Sequence, residues 1–337
     1  MEADFFIQWH ITNKCNLRCR HCYQEEFTEI SDAGWPGLKE IADTIVATME
    51  KWGRRACINI TGGEPLLKPE TFHLLGDLDV RERVAETGLI TNGLLLDGRA
   101  SEKLASFRKL KEIKISVDGG DPGTNDRIRA PGSFERVVDN ISRVVRDGRF
   151  DIVLMFTAMQ GNYGTLVPLI RLALELGVQG LIIERFIPWG RGKAMGEQVL
   201  EREHWKEMTD TLFDFFDIDA GDEGLAAFQA FEVDLRNGEP ELKGAPCVLG
   251  KDGICVMPDG TVFPCRRLPV PIGNLRREPL EVIWEESPVL RRVTDRKNIA
   301  GRCGLCRVEG CLGCRSLAYS LTGDFLAEDP HCRLNNS

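Results

Sequence analysis

Along the first two hundred positions, apolar residues follow two alternating spacings. Short strand-like runs stand at 5–12 (FFIQWHIT), 56–61 (ACINIT), 84–91 (VAETGLIT), 112–118 (EIKISVD), 151–157 (DIVLMFT) and 180–186 (GLIIERF). Between them, at 38–52, 134–148 and 165–177, apolar residues recur every three or four positions, the period of one buried helix face. Strand then helix, repeated about six times, predicts a parallel β/α architecture. Six units predict a partial or closed barrel with its functional groups in the loops after the strands' C-terminal ends.

The pattern breaks near residue 200. Residues 202–216 read as a helix, followed by a Gly-, Glu- and Asp-rich connection to about 245. Residues 246–337 are rich in Cys, Gly and Pro, with only short apolar runs. Such a segment has little core of its own and needs metal centres to hold it. The expected organisation is therefore a barrel over 1–200, a helical bridge over 201–245 and a Cys-rich domain over 246–337.

Composition narrows the classes of function. A net charge of −9 over 337 residues argues against a nucleic-acid partner, which calls for a basic face. No run reaches the ~18 apolar residues of a membrane span, and MEADFFIQWH lacks a basic stretch followed by an apolar one. A cytoplasmic enzyme is the expectation. The twelve cysteines then read as metal or cluster ligands rather than disulfides. Cys57 stands alone and reads as a small core residue, and His10 and His204 carry no partner signal.

Cys15, Cys19 and Cys22 form Cys-x3-Cys-x2-Cys in the loop after the first strand. Three ligands leave a tetrahedral zinc site incomplete, whereas a 4Fe–4S cluster on three thiolates keeps one iron open. A zinc site completed elsewhere is the alternative. With His21 at the ring position before the third cysteine, the motif resembles that of the radical S-adenosylmethionine (SAM) superfamily. The resemblance implies that the open iron chelates SAM and that reductive cleavage yields a 5′-deoxyadenosyl radical. Thr61–Pro65 (TGGEP) resembles the loop that receives the SAM amino group, with Gly62 and Gly63 allowing close approach, Glu64 accepting from the ammonium, and Pro65 closing the motif. By the same resemblance Thr91, Asn92, Ser116 and Asp118 contact SAM, Arg129 pairs with its carboxylate, and FIPWGRG (186–192) lies near adenine.

The remaining cysteines run Cys247-x7-Cys255-x9-Cys265, then Cys303-x2-Cys306-x4-Cys311-x2-Cys314, then Cys332. VMPDGTVFP (256–264) reads as a hairpin turning at Asp-Gly. With the Gly260–Cys265 step, this resembles the SPASM extension of radical SAM enzymes, and two zinc sites are the alternative. The extension carries two auxiliary 4Fe–4S clusters, three clusters in all. By order, one takes Cys247, Cys255, Cys265 and Cys314, the other Cys303, Cys306, Cys311 and Cys332. The family's central spacing is x2, x5, x3, so each of the last two gaps is one residue shorter here. The implied fold is α/β: a partial (β/α)6 TIM-like barrel with a small Cys-rich iron–sulfur C-terminal domain.

Relatives similar in both regions modify peptides or proteins, so a peptide maturase installing crosslinks, thioethers or epimerised residues is the leading expectation. A haem- or tetrapyrrole-modifying enzyme is the runner-up, and a non-catalytic zinc-binding protein the third reading. Sulfatase-maturating relatives place an Asp directly after the third early cysteine. Arg266 and Arg267 stand there instead, which disfavours that activity and supplies cations for a substrate carboxylate or for tuning a cluster. The first strand begins near Phe5, which is expected to leave no room for a leader-peptide-binding domain before it. The expected partners are a peptide or small protein, a separate leader-binding protein, and an electron donor of flavodoxin or ferredoxin type.

Overall fold

The computed structural model describes residues 4–219 and 223–334. Six strands pair in parallel and in chain order: β1 (Phe5–His10), β2 (Ala56–Thr61), β3 (Val84–Thr91), β4 (Leu110–Ser116), β5 (Asp151–Ala158) and β6 (Gly180–Arg185). The intervening helices include α1 (Trp35–Trp52), α2 (Glu70–Asp79), α3 (Gly98–Leu104), α4 (Pro122–Ile128), α5 (Ser133–Asp147) and α6 (Leu166–Leu176), with α7 (Arg202–Phe215) following β6. Sequential order with a helix at nearly every crossover is the arrangement of a β/α barrel. Here the sheet ends in two edges and stays open.

The residue pattern accounts for these elements. In β1, Phe5, Ile7 and Trp9 are sealed in the core while Phe6 is exposed, the two-residue alternation of a strand. Phe5 meets Trp52 of α1 and Trp284 edge-on. In α5, Phe134, Val137, Ile141 and Val144 are buried, one stripe at helical spacing. That helix stops at Gly148, whose φ of 62° is the left-handed cap conformation a side chain disfavours. Cys57 is buried, as expected of a core residue.

Two expectations need correction. The connection over 201–245 is not only helical. Ala230–Asp234 (β7) and Glu241–Gly244 (β8) form a hairpin that extends the sheet antiparallel to β6. Its Asp, Glu, Lys and Arg residues read as a loop, but charged side chains are what an edge strand carries, and Asp234 here pairs with Lys243 and Arg236. Residues 220–222 of that connection lie outside the described residues. Nor does the Cys-rich segment stand apart from the barrel. Gly253–Val256 (β9) pairs in parallel with β1, and Thr261–Phe263 (β10) and Gly273–Asn274 (β11) continue the sheet outward. The expected hairpin is present, with Val262 opposite Val256. Strand four also begins and ends two residues early, so Val117 and Asp118 belong to the loop after it.

Candidate active site

The loop after β1 carries Cys15, Cys19 and Cys22, none of them in a disulfide. Backbone N–H groups of Leu17 and Gln24 point at the sulfurs of Cys15 (3.4 Å) and Cys22 (3.5 Å), a geometry that favours thiolate over thiol. Burial opposes this: it pushes Cys19 up to about 12, with Arg129 acting the other way. Burial likewise raises Cys15 and Cys22, and a metal that takes the three as thiolates would displace their protons. Among the described residues no three His, Cys, Asp or Glu side chains converge on a single-ion position. The cysteines instead line a wider space.

The loop is braced from the neighbouring strands. Gly63 N–H donates to Thr12 O (2.7 Å) and Glu64 N–H to Lys14 O (2.8 Å). A Cβ at Gly63 would collide with the Lys14 carbonyl, so only glycine lets the β2 loop lie on the cysteine loop. Across the barrel mouth, Gly192 N–H donates to Cys22 O (2.9 Å) and Arg191 N–H to Gln24 O (3.3 Å). Residues 186–192 therefore clasp the cysteine loop, with Phe186, Ile187 and Trp189 facing the cavity.

The expected SAM contacts divide into two groups. Gly62, Gly63, Thr91, Asn92, Ser116, His21 and Arg129 line the same cavity as the three cysteines. Glu64, Pro65 and Asp118 do not. Glu64 is fully buried and its carboxylate accepts from Thr91 Oγ1 (2.8 and 2.9 Å), Asn92 N–H (2.9 Å) and Leu66 N–H (3.0 Å). These bonds tie the ends of β2 and β3 together. Burial raises the Glu64 pKa to about 6 against those hydrogen bonds. Pro65 is buried at the start of the following turn.

Asp118 is also sealed. It accepts from Thr157 N–H (3.0 Å) and lies 2.7 Å from Arg129 Nη2 and 3.2 Å from His21 Nε2. Burial alone would raise its carboxyl, but Arg129 and His21 outweigh this and hold it well below the usual carboxylate range. Asp118 thus holds two residues that line the cavity, while its own side chain does not line it. Arg129, expected to take the SAM carboxylate, is already paired with Asp118. Among the described residues its buried Nε has no hydrogen-bond partner.

The later cysteines fall into two groups by which thiols raise one another's pKa. Cys265 and Cys314 raise Cys247, and Cys265 raises Cys255. Cys311 raises Cys303, Cys306 raises Cys311, and both Cys303 and Cys311 raise Cys332. The first group lines the same cavity as Cys15, Cys19 and Cys22, and the second does not. Asp329 stands between the groups: its Oδ2 accepts from Cys314 N–H (2.9 Å), and its own N–H points at Cys303 Sγ (3.3 Å). Arg296 donates to the carbonyls of Cys306, Val308 (2.9 Å) and Cys311 (2.6 Å), holding that turn.

Sequence reasoning missed Gln8 and Asn59, which face the cavity from β1 and β2, although a polar residue inside an apolar strand is a legible sign of a barrel lumen. It also missed Arg185 and Asp329, which no local pattern joins.

The residues suit a three-thiolate cluster with SAM beside it: free sulfurs on one loop, a glycine cradle against that loop, and an arginine donor without a partner. Residues 9–172 match the family model described as "Radical SAM superfamily", and 247–312 match the one described as "Iron-sulfur cluster-binding domain". The AdoMet-dependent heme synthase of Methanosarcina barkeri is 33% identical, covering 98% of this chain and 97% of its own. The mycofactocin maturase of Mycobacterium ulcerans is 26% identical, covering 98% and 88%. The solved structure of anSMEcpe with bound AdoMet superposes with a TM-score of 0.75 at 18% identity, covering 98% and 94%. Among the described residues no helix is long and apolar enough to cross a membrane. This chain is an enzyme of the radical SAM superfamily, with a partial barrel and a C-terminal SPASM iron–sulfur domain.

Proposed function

We propose that the enzyme acts on a tetrapyrrole bearing carboxylate side chains, in haem synthesis. The observation that carries this reading is one cavity of ≈ 480 Å³ lined both by Cys15, Cys19 and Cys22 and by Cys247, Cys255, Cys265 and Cys314. Phe6, Ile7, Met155, Phe186 and Trp189 line it too, with Arg266 and Arg267. Apolar and aromatic walls with a few placed cations suit a flat aromatic ring with anionic substituents. The full-length similarity to a haem synthase supports it.

In this reading Cys15, Cys19 and Cys22 hold the first 4Fe–4S cluster, and the two later cysteine groups hold one auxiliary cluster each. When bound, the first cluster supplies the electron that cleaves SAM to the hydrogen-abstracting radical. Gly62 and Gly63 receive the SAM amino group, Arg129 its carboxylate, and Thr91, Asn92 and Ser116 shape the rest of the site. The loop over 186–192, held to the cysteine loop by Gly192 and Arg191, would limit water beside the cluster and SAM. Electrons come from a flavodoxin- or ferredoxin-type donor.

A peptide substrate is the second reading, favoured by the mycofactocin maturase relationship. It would enlist a leader-binding partner protein. Anaerobically reconstituted enzyme given SAM, reductant and iron porphyrins graded in carboxylate number distinguishes the two. The expected result is porphyrin mass loss with matching 5′-deoxyadenosine. Turnover of a candidate precursor peptide without porphyrin conversion would overturn the tetrapyrrole reading, and stoichiometric zinc in place of iron would overturn both.

A further inference from the structure

Five arginines face the cavity, and their partners differ. Arg129 is paired with Asp118. Arg185 is paired with Asp329 at 2.7 Å. Arg267 reaches Glu184 Oε1 (3.1 Å) and Arg185 O (3.2 Å). Arg315 donates to the carbonyls of Phe325 (3.1 Å) and Ala327 (2.5 Å). Arg266 alone of the five has no hydrogen bond or carboxylate among the described residues, and its Nη1 is buried.

What holds Arg266 is an aromatic face. Its guanidinium stacks on the ring of Tyr23, and the other contact of that ring is His10, edge-on at 5.8 Å. A cation held over an aromatic face is kept in place without spending its N–H donors, and Nη1 has no hydrogen-bond partner among the described residues. The cation also sits next to a second one: burial and the adjacent Arg267 push its pKa well down, with the thiol of Cys22 acting the other way. A guanidinium with no carboxylate beside it and a buried Nη1 without a hydrogen-bond partner is a costly arrangement. Its place in the chain, directly after Cys265, puts it on the wall between the two cavity-lining cysteine groups.

We propose that Arg266 is a substrate-binding residue that takes one carboxylate of the tetrapyrrole through its free in-plane donors, orienting that edge of the ring between the two cysteine groups. The proposal rests on the tetrapyrrole reading above. Arg267, neutralised by Glu184, does not share the role. A planar fork matches a carboxylate two-to-two, and removal from water strengthens the pair. The other role open to a cation here, counter-ion to the Cys22 thiolate, calls for no preference between a substrate with carboxylates and one without.

The test compares reconstituted holoenzyme with its Arg266→Gln and Arg266→Lys variants. Equilibrium dialysis measures binding of iron mesoporphyrin, which carries free carboxylates, and of the same macrocycle with its carboxylates converted to methylamides. Wild type is expected to bind the acid at least about tenfold more tightly than the amide, the scale of one charge-assisted hydrogen bond. Arg266→Gln is expected to abolish that preference, and Arg266→Lys to restore part of it. The ratio of the two affinities is insensitive to general damage, which weakens both together. An unchanged acid-to-amide ratio in Arg266→Gln would overturn the role of Arg266 and leave the tetrapyrrole reading standing. Failure of wild type to bind either macrocycle would overturn that reading, and the proposal with it.

Discussion

Arg185 Nη2, at the end of β6, lies 2.7 Å from Asp329 Oδ2, and both side chains are almost completely sealed from solvent. The pair joins the last barrel strand to the Cys-rich segment, and Asp329 in turn touches Cys314 and Cys303. Removing one member leaves a buried charge without compensation, a loss of about 3–5 kcal/mol. Asp329→Asn is therefore expected to lower thermal stability sharply and to release auxiliary iron before the first cluster. Asp329→Asn with a melting temperature and iron content equal to wild type would show that the pair holds neither.

Glu64 offers a prediction of defined sign. Its folded pKa of about 6 lies above the ordinary value of 4.5, a difference of about 2 kcal/mol. A raised carboxyl contributes stability that is fully present below pH 4.5 and lost as pH rises through 6. The melting temperature of wild type relative to Glu64→Gln should accordingly fall between pH 4.5 and 6 and level off above 7. A difference flat across that range would mean the carboxyl is not strained by burial.

Gly63 tests the contact between the β2 loop and the cysteine loop. Gly63→Ala forces the Lys14 carbonyl away and is expected to weaken SAM binding by tenfold or more. Isothermal titration of the reconstituted protein measures this. Binding at wild-type affinity would show that the cradle tolerates a methyl group.

The cysteine groups make separable predictions for iron content. Replacing Cys15, Cys19 and Cys22 by alanine should abolish SAM cleavage and leave about eight of about twelve irons, two four-iron clusters of three. Cys314→Ala should perturb the cluster of Cys247, Cys255 and Cys265, while Cys306→Ala should perturb the other. Mössbauer and EPR spectra read the two effects. A Cys314 variant that altered the Cys303 group instead would reverse the assignment.

Much of this was legible along the chain, because it depends on near neighbours. Strand and helix periods follow from which residues must leave water, so five of the six barrel strands began where the apolar pattern does. Cys15, Cys19 and Cys22 share one loop and Gly62–Gly63 follow β2, so their positions were local, while their site roles came from the resemblance. The hairpin β7–β8 was read as a loop because its charges suit an edge that only the assembled sheet creates. Glu64 and Asp118 stand in the expected motifs, but their side chains turn away from the cavity. That orientation depends on Thr91, Asn92, Thr157 and Arg129, all on other elements.

By itself the sequence determined the β/α order, the three-cysteine loop and the eight later cysteines, since each is a matter of local period or count. Only the tertiary structure decided that β9 pairs with β1, and so that Cys255 and Cys265 line one cavity with Cys15, Cys19 and Cys22. It alone decided that Arg267 is neutralised by Glu184 while its neighbour Arg266 is left with free donors. Charge compensation is a property of distance in space, and residues 184 and 267 become neighbours only when the chain is folded.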